Sequence, residues 1–535
     1  LYSAMRLLTV HLRINDAATR LPTPVRLRIT GPGGEYFPPL GRPADVPVGR
    51  GEAVGGSLRF GAERWAFIDG SCEVRLPTQV PLTVEALKGP EYVPLRHPVT
   101  LGAGQMTLRL ALRRWADLRA QGWYSGDTRC HFLSPHDALF EAEAEDVAVA
   151  NLLAAVLAVP SRDGHAYPCV PNILAFSGQK PALERGGHLV AVNTHNTHPA
   201  LGKLGLLHTH RPVYPLTFGG DDTDDWSLAE WCEQCHRKRG LVVWTDAFRP
   251  AGLVGGEALV NLILGRVDAI EADAHERAAP LFPFWYRLLS AGLRVPLAGG
   301  SGKDSNRTAL GGVRTYARLA EAAWLSCGEW VEAVRHGRTF VTNGPLLGFE
   351  VNGREPGTVL EWSAESGPLR VRAAASSVVP FEELEVIANG EVIARAPAST
   401  GEIPDLTPLP PFPAREGGKE PFSPPPRFGE RDEGRGFWTA RVEVEHALPD
   451  GGWLAARCRG AQRSPFQPTL PVLAHTSAVY VQVSGRPPFR DEQALRALRP
   501  MVEQTRDWVQ REGRFADERN REHLLADCDA ALARL

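Results

Sequence analysis

The spacing of apolar residues changes period twice along this chain of 535 residues, and that change limits the fold more than any single motif. From Leu7 to about Leu112, apolar and polar residues alternate in short bursts such as Leu8 to Ile14, Val25 to Ile29, Val74 to Leu76 and Met106 to Leu112, separated by turn clusters such as Gly31-Pro32-Gly33-Gly34. A period of two is that of a half-buried strand, so residues 1–114 are predicted to form an antiparallel β-sandwich. Between about Trp115 and Gly344, short apolar runs alternate instead with helical stretches. Predicted strands are Val147 to Leu153, Leu189 to Asn193, Leu204 to Leu207, Leu241 to Trp244, Val267 to Ile270 and Val295 to Ala298. Predicted helices are Pro135 to Glu145, Trp226 to Lys238, Glu257 to Leu264, Leu281 to Ala291 and Glu329 to His336. This order predicts βα units around a mainly parallel sheet or distorted barrel over residues 115–347. After Pro345 strand-like bursts return, predicting a second β-sandwich over 348–490. It is split by a Pro-rich insertion at 403–436, a composition that builds no packed core. Helical spacing from about Glu492, with Pro500 and Gly513 as breakers, predicts a helical tail over 491–535. The fold class is thus multidomain α/β plus all-β.

Charge and hydropathy narrow the partners. Lys+Arg 59 against Asp+Glu 62 gives a formal net charge of -3, which supplies no global basic field for nucleic acid or an anionic membrane. No apolar run approaches the roughly 18 to 20 residues that span a bilayer. A small-molecule or anionic substrate is the expected partner. Eight cysteines are scattered over a chain too large to need disulfide staples, and they do not fix its compartment.

Histidine is concentrated where chemistry is expected. Nine of the 16 histidines lie from His131 to His236, within the βα block. In parallel βα folds reactive groups collect at strand ends. Those positions hold Asp127, Arg129 and His131; His195 and His198; His208 and His210; Asp246; Asp273 and His275; and Gly302, Lys303 and Asp304. Imidazole and carboxylate are ligands for zinc, manganese or iron, and the spacing of His208-Thr209-His210 and Asp273-Ala274-His275 places side chains on one face of a strand. The competing reading is that these histidines cap loops or pair with the acidic segment Asp221 to Asp225.

Two motif resemblances are weak. Cys232-Glu233-Gln234-Cys235-His236 fits the CxxCH pattern for covalent haem. It lies, however, where Leu228, Trp231, Cys232 and Cys235 trace one apolar helical face, so the cysteines are expected to fill a core and no haem is expected. Gly299-Gly300-Ser301-Gly302-Lys303-Asp304 follows a predicted strand but lacks the first Gly and the Ser/Thr of a phosphate-binding P-loop. Neither GxSxG nor GxGxxG occurs.

Taken together, several segments resemble a family. Gly122-Trp123-Tyr124-Ser125-Gly126-Asp127-Thr128-Arg129-Cys130-His131-Phe132, the Pro135 to Glu145 helix, Gly240-Leu241-Val242-Val243, Gly299-Gly300-Ser301, and Gly337-Arg338-Thr339-Phe340-Val341-Thr342-Asn343-Gly344-Pro345 resemble the CehA/McbA-type metallohydrolases of the PHP (polymerase and histidinol phosphatase) superfamily. The resemblance covers roughly Trp115 to Leu347. It implies a PHP-like distorted βα barrel flanked by two β-sandwiches, with divalent metals that activate water against an ester or phosphoester. Family habit also leans toward an exported or periplasmic protein, and an opening on Leu1 rather than Met fits a fragment or processed product.

The chain departs from the family at most ligand positions. The family opens with Asp-x-His-x-His; here the first histidine is Arg129 and only His131 matches. The family's acidic ligand corresponds to His195, its later histidine to Lys203, the histidine after the Gly-Leu-Val-Val strand to Asp246, and the aspartate of Gly-Gly-Ser-Asp to Gly302. Three readings follow. One metal is retained by a shell drawn from His131, His195, His208, His210 and Asp246, with Lys303 polarising the substrate oxygen. Alternatively, the metal is lost and Arg129, Lys203 and Lys303 form an anion-binding pocket, a pseudoenzyme. In the third, the barrel is a scaffold whose sandwiches bind carbohydrate or protein. Asp127 is expected to orient a loop rather than perform acid-base work.

Overall fold

A computed structural model describes residues 7–41, 46–49, 52–160, 166–247, 253–273, 281–320, 324–363, 366–402 and 436–535. The chain is multidomain and strand-rich, with several sheets and a helical C-terminus. The N-terminal alternation becomes two facing sheets. Thr107–Leu112, Leu7–Asp16 and Ser71–Pro77 form one; Ser57–Phe60, Glu63–Ile68, Val25–Thr30, Pro81–Leu87 and Leu95–Thr100 form the other. Val10, Leu12 and Ile14 of the first pack against Val25, Leu27 and Ile29 of the second, as a period of two requires. One pairing departs from the antiparallel expectation: Leu7–Asp16 and Thr107–Leu112 run parallel. These are the first and last strands of the unit, so no tight turn dictates their relative direction.

The central block wraps into a closed wall of seven strands. Trp123–Cys130, Val149–Ala154 and His188–His198 are parallel neighbours, and so are Leu241–Thr245, Ala269–Asp273 and Leu297–Gly300. Gly202–Leu207 lies between the two sets and is antiparallel to both. Closure comes from a parallel bridge between Cys130 and Lys303, where His131 N donates to the Lys303 carbonyl at 2.7 Å and Gly302 N to that of Arg129 at 2.9 Å. Helices Pro135–Ala144, Leu228–Arg237, Gly256–Ile263, Leu281–Ser290 and Cys327–Arg335 surround the wall, within a few residues of their predicted ends. Three begin at a serine whose hydroxyl accepts an N–H three residues on: Ser134, Ser227 and Ser326. Cys232 and Cys235 are fully buried on the inner face of Leu228–Arg237, in one core with Trp231 and Leu259.

The sheet does not stop at residue 347. Trp123–Gly126 also pairs with Arg314–Arg318, which leads through Thr339–Thr342, Pro471–Thr476 and Gly452–Arg463 to Glu383–Ala388. These outer strands form one layer of the C-terminal sandwich. The facing layer is Leu346–Val351, Leu369–Ser377, Phe437–His446 and Ser399–Gly401. Nearly all of the Pro-rich insertion, 403–435, lies outside the described residues. The tail is a helical hairpin, Glu492–Arg511 and Glu518–Arg534; Pro500 sits inside the first helix and Gly513 in the turn. Its Leu498, Val502, Val509, Leu524 and Cys528 pack on the helices beside the barrel. Among the described residues no helix is long and apolar enough to cross a membrane.

Candidate functional site

The carboxyl ends of the parallel strands gather most of the predicted site residues at one mouth of the barrel. The strand Trp123–Cys130 gains one residue over its neighbour between Asp127 and Cys130, a β-bulge. Consecutive strand residues normally face opposite sides. The bulge allows two of them to reach the same carboxylate: Thr128 Oγ1 donates to Glu271 Oε2 at 2.6 Å and Arg129 Nε to Glu271 Oε1 at 2.8 Å. The approach depends on Gly300, because a Cβ there would lie 2.4 Å from Thr128 Oγ1 and 2.6 Å from Glu271 Oε2. The Gly-Gly pair is therefore explained by close packing.

Arg129 is the hub of a four-charge cluster. Its Nη2 lies 2.7 Å from Glu271 Oε1 and 3.2 Å from Asp246 Oδ1, while Lys203 Nζ donates to Asp246 Oδ2 at 3.0 Å. Arg129, Asp246 and Glu271 are buried; the Lys203 side chain is 25 % exposed. Asp246 has φ 52°, in the left-handed region, which aims its carboxylate back between the two cations. Among the described residues the cluster sets two basic against two acidic side chains.

His131 and His195 stand beside it with ring centroids 5.1 Å apart. His131 Nδ1 faces the Leu153 carbonyl at 3.0 Å and must donate to it. His195 Nε2 lies 2.9 Å from Thr245 Oγ1, which itself donates to the Lys203 carbonyl at 3.3 Å, so the imidazole is the donor there too. Burial, with Arg129 adding to it, pushes His131 down to about 4; burial and the neighbouring His131 hold His195 well below the usual histidine range. Both rings are neutral near pH 7. Two neutral imidazoles fixed by carbonyl or hydroxyl partners suit metal ligation. The carboxylates do not, since both already neutralise Arg129 and Lys203. Among the described residues no group of three or more His, Cys, Asp or Glu is placed to hold a metal ion.

Other predicted residues stand apart. Lys303 is fully buried, with its Nζ 3.3 Å from Glu141 Oε2 and donating to the Thr308 carbonyl at 2.9 Å, so its charge is committed to the helix Pro135–Ala144. His208 and His210 follow the one antiparallel strand, whose carboxyl end opens at the opposite mouth. His208 lies against Gly328, and His210 is exposed near the Lys238 carbonyl. Neither sits in a strand, so the same-face argument from their spacing does not apply. His198 Nε2 donates to Asp224 Oδ1 at 2.9 Å, within the acidic segment. Asp127 accepts from the N–H groups of Arg129, Ser301 and Gly311 at 2.8–3.0 Å and ties the strand to the 301–311 loop. The Asp273 side chain and His275 lie outside the described residues.

Sequence reasoning missed Glu271 and Thr245. The available signal for Glu271 was one carboxylate inside the apolar run Ala269-Ile270-Glu271-Ala272, which a closed parallel wall can bury only with a counter-charge. No family model matches the chain, and no curated protein does.

Proposed function

We propose that this chain is a PHP-like barrel of the CehA/McbA type in which the Arg129 guanidinium takes the place of the metal, leaving a ligand-binding pseudoenzyme. The observation that carries this reading is the bridging of Glu271 and Asp246 by Arg129 at 2.7 and 3.2 Å. A dication about 4 Å from a guanidinium is repelled by roughly 8 kcal/mol at an effective dielectric of about 20, and arginine does not shed its proton to escape. Both described carboxylates of the cluster are already paired with Arg129 or Lys203. In this reading Lys303, turned to Glu141, takes no part in the pocket.

The ligand best suited to the cluster carries a carboxylate, sulfate or phosphate group that takes over the position of the Asp246 carboxylate between Arg129 and Lys203. His131 and His195 border that position as neutral, oriented imidazoles. Sulfate titration of the full chain by calorimetry tests the reading. Asp246→Asn leaves two cations against one anion and should raise sulfate affinity about tenfold, the effect of roughly 1.4 kcal/mol. Unchanged affinity rejects the pocket. A second reading, a one-metal ester or phosphoester hydrolase, is favoured by the His131 and His195 pair. Stoichiometric zinc, manganese or iron in the purified protein, lost with His131→Ala, would establish it over the first.

A further inference from the structure

The interface between the N-terminal sandwich and the barrel holds a second charge cluster, separate from the mouth. Glu141 and Glu145 are four residues apart at the end of the helix Pro135–Ala144, so they share one helix face, and both are fully buried. Opposite them stand Arg26, from the sandwich strand Val25–Thr30, and Arg314, from the strand Arg314–Arg318; these are 0 % and 1 % exposed. Arg26 is wedged between aromatic rings, its guanidinium carbon 5.2 Å from the Trp65 ring centre and 5.6 Å from that of Phe60.

Protein groups satisfy only part of this cluster. Arg26 Nη2 donates to the Pro465 carbonyl at 2.9 Å, while Arg314 Nε and Nη1 donate to the carbonyls of Gly311 and Glu145 at 2.8 and 2.9 Å. Among the described residues, Arg26 Nε and Nη1, Arg314 Nη2 and both carboxylate oxygens of Glu145 have no hydrogen-bond partner, and Glu141 faces only the Lys303 ammonium, 3.3 Å from its Oε2. The nearest opposed pair, Arg26 Nε and Glu145 Oε1, are 3.4 Å apart, too far and too poorly aligned for a good hydrogen bond. Burial raises both carboxyls, Glu141 to about 7, as expected of oxygens under-solvated by protein alone. Buried charges left in this condition are costly, and native interiors avoid it.

We propose that this interface is a built water site, in which ordered waters bridge Arg26 and Arg314 to Glu141 and Glu145. Water is the ligand class that meets both halves of the requirement, because it accepts from guanidinium N–H groups and donates to carboxylate oxygens. A halide would serve only the arginines and a metal cation only the glutamates. Through Lys303, which faces Glu141, and Arg314, which holds Gly311, the site also supports both ends of the loop beneath the barrel mouth. The inference does not rest on what that mouth binds.

A high-resolution crystal structure of the full chain, with a bromide-soaked twin, tests it. The expected result is water density within hydrogen-bond reach of a guanidinium nitrogen and a carboxylate oxygen of this set, with no anomalous peak. Direct side-chain pairing with no density between, or a bromide peak in that place, overturns the proposal. In solution, oxygen-17 relaxation dispersion counts long-lived internal waters. That count should fall by at least one in the paired variant Arg26→Met with Glu145→Leu and hold in Glu145→Gln. A count unchanged in the paired variant overturns it equally.

Discussion

At the scale of single residues, Arg129 carries the largest expected effects. Removing one member of a buried ion-pair network leaves its partners uncompensated, at about 3–5 kcal/mol. Arg129→Met should therefore lower stability in urea denaturation at pH 7 by about that amount, and adding Glu271→Gln should recover part of the loss. An effect below about 1 kcal/mol would mean that Asp246 and Glu271 do not depend on the guanidinium. The neutral histidines set a pH dependence of definite sign. Burial pulls His131 and His188 down to about 4, whereas an unfolded histidine titrates near 6.5. Between those values the unfolded chain binds more protons, so their contribution is complete above about pH 6.5, declines as the pH falls, and is gone below about pH 4. His131→Asn should flatten that stretch of a stability-against-pH curve. Arg129 was legible in the sequence because it stands midway between Asp127 and His131, at a spacing of two that puts all three on one strand face. Its partners were not, because the bulge that turns Thr128 and Arg129 toward one carboxylate leaves no mark in the alternation of side chains.

Among elements, the outcome was decided by strand direction more than by strand position. The run Leu204 to Leu207 is readable from its apolar residues, yet nothing local says that it opposes its neighbours. That direction alone separates Lys203, at the cluster, from His208 and His210, at the far mouth. The helices were easier, since serine caps and apolar faces such as that of Leu228–Arg237 are local signals. The C-terminal hairpin was visible as a helical tail, but its docking was not. Its turn is held by the acidic segment: Arg514 N donates to Asp224 Oδ2 at 2.7 Å, and Ala516 and Asp517 N to Asp225 Oδ1 at 2.8 and 3.0 Å. Burying a large aliphatic side chain contributes about 1.5–3 kcal/mol, and Leu498, Val502, Val509 and Leu524 are buried there. Deleting residues 491–535 should uncover the partner face, raising dye binding to exposed apolar surface and accelerating amide exchange around His198. Exchange unchanged at His198 would show that the hairpin is an independent appendage.

For the whole molecule, the sequence divides where the period changes, at about 347, but hydrogen bonding does not. Thr339–Thr342 pairs with Arg314–Arg318 on one side and with Pro471–Thr476 on the other, so one continuous sheet serves the barrel and the C-terminal sandwich. Pairing between strands about 130 residues apart in sequence has no local signature. Barrel and C-terminal sandwich should accordingly melt in a single calorimetric transition, and residues 115–347 expressed alone should aggregate through the bared strand edge; two resolved transitions would argue for separable domains. The lone reversed strand of the barrel also provides a ruler along its axis. Lys203 and His208 are five residues apart, about 17 Å at the rise of an extended strand, and that short span runs from one opening to the other. A reporter group on each would read the two ends of the strand wall from a single β-hairpin, so events at one end could be timed against the other within one molecule.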